Sequence, residues 1–298
     1  MYKTFTSPII LLIVIAILQP QKISGAELWV SPGGSDQNPG TKDKPIQSLA
    51  LAIRKARDLR RLNDPSISDG VDIILLGGTY VLSETLHVRP EDSGTDSGMT
   101  RFRAAHGERP TLSGGIQVTG WQKLNEELPG LAKDAVGQVW VANVPSFRGQ
   151  KLRFRQMWVD DQKAIRARRP NVGKMERLTA WDRENHRAGL PASLLSPLVD
   201  KTRLEMTLLQ QWEIAKLRIK TIHVQGREAR LRFHDPEAPL EFEHPWPQPV
   251  MEPQGAPFFV TGAIEFLDQP GEWHCDQTHN RIYYWPRPGE DLRTAAVT

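Results

Sequence analysis

Two consecutive stretches of the chain repeat one pattern of strand, turn and strand, and that repetition limits the possible folds more than any other feature. Val71–Leu76 is an apolar strand, Gly77 and Gly78 break it, and Tyr80–Val88 follows as a second strand with apolar positions at Leu82, Leu86 and Val88. The same order returns with Met99–Ala104 as a strand, residues 107–110 as a turn, and Thr111–Val118 as a strand interrupted at Gly114 and Gly115. A repeat of about 26 residues fits a parallel β-helix, in which each coil buries its apolar surface only by stacking on its neighbour. A β-sandwich produces similar strand spacing, so the pattern alone leaves both open.

The segment before the repeat favours a capped solenoid. Glu27–Ser31 is a short strand, and residues 32–41 are so rich in glycine, proline and Asx that they can only turn. Ser48 then stands as an N-cap ahead of Leu49, Ala52, Ile53, Ala56 and Leu59 at helical spacing, with Arg54, Lys55, Arg57, Asp58 and Arg61 on the other side. The pattern predicts an amphipathic helix of about fourteen residues with one face to bury. Such a helix suits a lid over the open edge of a first coil.

Further upstream, Lys3 precedes an unbroken apolar run from Ile9 to Leu18, and Ser24-Gly25-Ala26 follows. Charged region, apolar region and small-residue exit are the parts of a secretory signal peptide, here residues 1–26, with cleavage expected between Ala26 and Glu27. The apolar run is too short to span a bilayer, which takes a helix of roughly 20 residues. The expectation is therefore a secreted or periplasmic protein without a stable membrane anchor. Cys275 is the only cysteine, so no intrachain disulfide can form and packing must supply the stability.

From Trp121 onward the repeat gives way to hairpins. Val139–Val144, Phe154–Val159 and Ala164–Ala167 read as strands, with residues 160–162 as a turn. Leu204–Trp212, Leu217–Val224 and Ala229–Phe233 add three more, the last two joined at Gln225-Gly226, and Glu272–Cys275 pairs with Arg281–Trp285 across a turn. A mostly antiparallel accessory domain over residues 121–285, inserted after a cap and first coils at 27–120, is the simplest organisation. Residues 286–298 are expected to lead back toward the coils. Seven prolines between Asp235 and Pro257 exclude a central strand or a helix interior there and predict a surface excursion. His244 and Trp246 on that excursion are candidates to line a binding groove; a proline-stiffened loop that merely wraps the accessory domain is the simpler alternative.

Charge narrows the partners. A formal net charge of +3, mixed along the length, offers no electrostatic case for nucleic acid. Two local clusters, Lys151–Arg155 and Arg166–Arg169, are placed to meet an acidic polysaccharide, with Arg166 and Arg168 as candidate contacts; as solvated positions of a hairpin they need no such role. The chain has no phosphate-cradling glycine loop, no Gly-x-Ser-x-Gly elbow and no paired Cys-x-x-Cys, which argues against nucleotide enzymes, serine esterases and zinc ribbons. No cofactor is expected.

Glycoside hydrolysis places two carboxyl groups across the scissile bond, about 5–5.5 Å apart for retention and about 6.5–9.5 Å for inversion. The acids on the visible repeat, Asp72, Glu84, Glu91 and Asp92, sit at strand starts or turns, where a solvated carboxylate is the default. His274, Cys275, Asp276 and His279 have metal-ligand chemistry, but a strand sends His274 and Cys275 to opposite faces, so no metal site is expected. Most of the nine tryptophans are expected in the core, Trp158, Trp273 and Trp285 among them.

The stretch GAIEFLDQPGEWHCDQTHNRIYYWPRPG, Gly262–Gly289, together with the hairpin run FRQMWVDDQKAIRARRPN, Phe154–Asn171, resembles secreted right-handed parallel β-helix proteins of the glycoside hydrolase family 141 type, within the pectate-lyase-like superfamily. The opening VSPGGSDQNPGTKDKPIQSLALAIRKAR is similar to that of many secreted β-helix proteins. The resemblance implies an all-β fold, the start of a right-handed parallel β-helix with a capping helix and an inserted antiparallel domain. It also implies an exported enzyme that degrades cell-wall polysaccharide. In such proteins a block like Gly262–Gly289 stands just before the main coils, so the catalytic acids are expected beyond Thr298, on this chain's continuation or on a second chain that supplies the missing coils. The chain alone is then expected to be incomplete and inactive. A non-catalytic glycan-binding or structural module, and a polysaccharide lyase of β-helix fold, are the alternatives; Asp160-Asp161 departs from the Asn-Gly turn usual in the family's hairpin.

Overall fold

The computed structural model describes residues 25–95, 98–245 and 247–298, so nearly all of the expected leader, and Trp246, lie outside the described residues. The protein is mostly β, with several separate sheets and few helices. It divides into two compact units, Met1–Gly115 and Ile116–Thr298, a boundary a few residues before the expected one.

In the first unit, strands Ala26–Val30, Val71–Leu75 and Thr100–Ala104 form a three-stranded parallel sheet with unbroken register, Leu28 beside Ile73 and Ile73 beside Phe102. A second parallel ladder pairs Gly78–Val81 with Pro110–Ser113. The two predicted repeats thus lie side by side, strand on like strand. Each repeat is a few residues longer than the predicted 26 or so, because Val71 meets Thr100 and Gly78 meets Pro110. The expected strand Tyr80–Val88 stops at Val81, and the pairing with the next repeat ends where the Leu82 amide donates to the Ser113 carbonyl at 2.8 Å; Val88 is exposed. Likewise the expected strand Thr111–Val118 is only Pro110–Ser113.

The predicted helix runs from Leu49 to Arg61, with the Ser48 hydroxyl accepting from the Leu51 amide at 3.3 Å. Its period follows the sequence: Leu49, Ala52, Ile53 and Ala56 are buried against Leu28, Val30, Val71, Ile73 and Leu75. The edge of Ala26–Val30 is closed by residues 40–46, where the Trp29 amide donates to the Gly40 carbonyl and the Ile46 amide donates to the Trp29 carbonyl at 2.9 Å. Cleavage after Ala26 would remove only the first rung of this strand, the pair Ala26 and Val71.

The second unit is built from antiparallel hairpins around two cores. One sheet runs, in spatial order, Ile165–Arg166, Glu272–Asp276, Arg281–Tyr284, Trp140–Asn143 and Gln122–Lys123. A larger one runs Arg168–Arg169, Pro257–Thr261, Glu205–Leu209, Ile214–Gln225, Glu228–Phe233, Arg187–Pro191 and Ala180–Asp182. The only parallel pair in these two sheets joins Ile165–Arg166 to Glu272 and Trp273. The hairpin Trp158–Val159 with Gln162–Lys163 turns at Asp160, whose φ of 50° is the left-handed geometry that a two-residue turn of this kind needs and that aspartate tolerates better than most residues.

Three expectations change in this unit. The proline-rich stretch holds a short helix, Glu237–Phe242, because Pro239 falls in its first turn, where the missing N–H breaks no helical bond. That helix buries Ala238 and Phe242, and the Phe242 ring stacks at 4.1 Å on Trp181. Residues 286–298 fold back into the unit rather than leaving it: Leu292 and Val297 are buried in its smaller core, and Trp158 and Thr298 exchange backbone hydrogen bonds. Finally, Trp273 is fully buried as expected, whereas Trp158 and Trp285 are half-buried.

Candidate functional site: a basic cleft in the second unit

A cleft of about 640 Å³ opens on the second unit. Its first wall is a hairpin, Ser146–Phe147 paired with Gln150–Lys151, whose turn residues Arg148 and Gly149 both have positive φ, 51° and 79°. This tight turn carries Phe147, Gln150 and Lys151 to the cleft, and Leu152 and Arg153 extend the wall. The opposite wall is the turn after Glu272–Asp276, which presents Gln277 and Asn280. Asp276 organises that turn by accepting from the amides of Thr278 and His279 at 2.8 and 3.0 Å and from the His279 ring at 2.6 Å.

Arg203 completes the lining. Its backbone is held by a close approach to Gly262, at φ 103°, where a Cβ would stand 2.2 Å from the Arg203 carbonyl oxygen. Only glycine fits there.

The lining is electrostatically one-sided. Lys151, Arg153 and Arg203 bring three positive charges and no carboxylate lines the cleft. The Lys151 ammonium donates to the Val144 carbonyl at 3.0 Å, so it is oriented but not neutralised. Neither Arg153 nor Arg203 has an ion-pair partner among the described residues, and both are exposed. Other arginines of the unit differ sharply. Arg155 and Arg166 both bind the buried Glu205 at 2.7 Å, and Arg218 pairs with Glu237.

The residues singled out from the sequence fall elsewhere. Arg166 is committed to Glu205, and Arg168 is buried with its guanidinium donating to the carbonyls of Pro170 and Lys174 and stacked 3.6 Å over the Phe259 ring. Burial pulls the Arg168 pKa down, with Glu272 opposing. Both side chains brace the sheet. His244 is exposed and its carbonyl accepts from Arg183; Trp246 lies outside the described residues. Lys151 and Arg153 were visible as part of a basic cluster, whereas Arg203, Gln277 and Asn280 carried no signal, being single polar residues brought in by turns. Trp212, expected at the end of the strand Leu204–Trp212, instead sits 85% exposed between the strands Glu205–Leu209 and Ile214–Gln225, a flat apolar surface of the kind sugar rings stack on.

The histidine and cysteine cluster does not converge. His274 stacks toward Tyr283, and burial pushes it down to about 4; Cys275 packs on the smaller core, where burial pushes its thiol up to about 11. Among the described residues no group of three or more such side chains is placed to hold a metal ion. On the repeats, Asp72 is held by Arg101 and Arg103 at 3.1 and 2.8 Å, and Asp92 by Arg57 at 2.8 Å.

Two acids outside the cleft are tuned upward. Glu241 shares Gln210 with Glu213, the amide nitrogen lying 2.7 and 2.5 Å from the two carboxylates. Burial, then the neighbouring Glu213, pushes Glu241 up to about 7. Burial, with the Asp268 charge adding to it, outweighs the backbone amides of Asp268 and Gln269 and the charge of Arg168, and pushes Glu272 up to about 7 as well. A raised carboxyl pKa means that the folded state holds protons the unfolded chain has released, so each group costs stability as pH rises from about 4.5 toward 7. Replacing Glu241 with glutamine is therefore expected to flatten the fall in urea midpoint between those pH values. An unchanged slope would show that Glu241 does not hold a proton there.

Comparison with known proteins places these features in a family context. Residues 137–287, just over half of the chain, match the family model described as the GH141 insertion domain. A solved structure titled "Glycoside hydrolase" superposes with a TM-score of 0.78 at 40% identity, covering 92% of this chain and 45% of that one. Two curated proteins are similar over shorter lengths: the uncharacterized protein YwoF of Bacillus subtilis, 42% identical over 91 residues, and pectate lyase PEL9 of Emericella nidulans, 36% identical over 121 residues. Those matches take in 30% and 41% of this chain but only 16% and 23% of the two relatives.

Proposed function

Because the chain belongs to the family of the GH141 insertion domain, we propose that it is the N-terminal portion of an exported glycoside hydrolase acting on cell-wall polysaccharide, and that the part described here binds glycan rather than cleaving it. The family match over residues 137–287 carries the first half of this reading, and the 40% identical glycoside hydrolase structure supports it. The two parallel ladders are then the first rungs of a right-handed β-helix, with Leu49–Arg61 as its cap. The strand Thr100–Ala104 supports this, since it is the last strand of its sheet and leaves Phe102 42% exposed, an edge on which a further coil would stack.

The second half rests on where the acids are. Asp72 and Asp92 are held by arginines, and the cleft contains no carboxylate at all. Two carboxyl groups facing each other across a sugar linkage are what glycoside hydrolysis needs. This reading assigns the catalytic pair to further coils or to a partner chain, outside the two ladders and the cleft. Export follows from the leader, with Glu27 as the first residue of the mature protein; no helix among the described residues is long and apolar enough to cross a membrane.

The purified mature chain should be retained by plant cell-wall polysaccharide and show no turnover of aryl fucosides or xylan. Turnover that disappears when a carboxylate of this chain is replaced would overturn the assignment of a binding role. A lyase is the second reading, favoured by the pectate lyase among the relatives. It requires a base beside an acidic sugar and leaves an unsaturated, ultraviolet-absorbing product, so the same incubations separate it from hydrolysis.

A further inference from the structure

We propose that the cleft between the hairpin Ser146–Lys151 and the turn 277–280 is a subsite for the carboxylate of a uronate-bearing polysaccharide. The inference rests on the glycan-binding reading above and narrows it to an anionic sugar. Three observations carry it. First, Lys151, Arg153 and Arg203 converge on one cavity that no acid lines, while neighbouring arginines are spent on Glu205 and Glu237. Three positive charges and no negative one on a single lining set up a field that favours an anion.

Second, the remaining polar lining suits a sugar rather than a bare ion. Gln277 and Asn280 offer both donors and acceptors, as ring hydroxyls require. The volume of about 640 Å³ lies well inside the range of about 300–1,000 Å³ usual for small-molecule clefts, too large for a single inorganic anion to fill. Third, the walls are positioned before any ligand arrives. The Asp276 bonds fix one turn, the positive φ of Arg148 and Gly149 fixes the other, and Gly262 pins the backbone of Arg203. Preorganised donors lose little on binding, so charge-assisted bonds to a carboxylate keep most of their strength.

Affinity electrophoresis of the mature chain through gels containing polygalacturonate, neutral xylan or dextran sulfate tests this. Retardation by polygalacturonate should exceed that by xylan, weaken with salt, and fall roughly tenfold or more for each arginine lost in R153Q and R203Q. R61Q, an exposed arginine on the helix Leu49–Arg61, should bind as the unaltered chain does, and all three variants should keep its melting temperature because these side chains make no ion pair. Equal retention by xylan and polygalacturonate, unaffected by R153Q and R203Q, would overturn the uronate subsite and leave the glycan-binding reading standing. Retention by dextran sulfate without polygalacturonate would replace the carboxylate by a sulfate and overturn the assignment. Retention by none of the three would remove both readings together.

Discussion

Replacing Glu205 with alanine should destabilise the second unit by about 3 kcal/mol, the lower end of the range for stripping one partner from a buried ion pair. The Glu205 side chain is 5% exposed and accepts from Arg155 at 2.7 and 2.9 Å and from Arg166 at 2.7 Å. Its loss strands Arg166, which is only 24% exposed, while Arg155, half-exposed, can turn back to water; that difference is why the lower end applies. Burial pushes the Glu205 pKa up, but the two arginines outweigh it and hold the carboxyl below its ordinary value. The stabilisation is therefore complete above the unfolded carboxyl pKa of about 4.3 and disappears as pH falls through the lower folded value. Urea midpoints of wild type and E205A should differ fully at neutral pH and converge in acid. Replacing Glu205, Arg155 and Arg166 together by leucine or methionine should cost less than E205A alone, since no charge is left unpaired. A triple variant weaker than E205A would show that the charges themselves, and not the stranding of a partner, hold this site.

Trp273 gives the second large effect, expected at about 3–5 kcal/mol for Trp273→Ala. Its ring is fully buried on a central strand of the five-stranded sheet and stacks on Phe154 with centroids 5.1 Å apart. Alanine leaves a cavity among Val159, Ala164, Ile282 and Tyr284 that these neighbours cannot close, since the strand is paired on both sides. Phenylalanine should cost much less. The buried indole N–H has no hydrogen-bond partner among the described residues, so removing it relieves an unsatisfied donor and offsets part of the lost contact. Equal destabilisation by alanine and phenylalanine in denaturant titrations would mean that the N–H finds a partner after all. The same strand ends at the turn that carries Gln277 and Asn280, so W273A should also weaken glycan retention, whereas W273F should leave it intact.

Features set by neighbours in sequence were legible from the chain. The helix Leu49–Arg61 announced itself because its apolar period and its Ser48 cap lie within one segment, and the hairpin turns at 160–161 and Gly226 did so because few residues tolerate positive φ. The helix Glu237–Phe242 did not, since proline density hid the fact that a single proline in a first turn is harmless. The surroundings of Arg166 and Arg168 were hidden for a related reason: a basic cluster looks the same in sequence whether its guanidinium groups face water or, like that of Arg168, rest on Phe259 beneath two carbonyls.

The sequence by itself determined an amphipathic helix, two like runs of strand, turn and strand, and the hairpins that follow, because local periodicity and turn chemistry act within a few residues; that the two runs pair in parallel was decided by the tertiary structure. Only the tertiary structure decided which charges are left over. Counting arginines cannot reveal that Arg155 and Arg166 share Glu205 while Arg153 and Arg203 meet no carboxylate among the described residues, since an ion pair between residues 166 and 205 depends on strand register and not on spacing along the chain. The basic cleft gathers such unpaired charges, and is assembled from residues 144–153, 203 and 277–280 by the pairing of strands far apart in sequence.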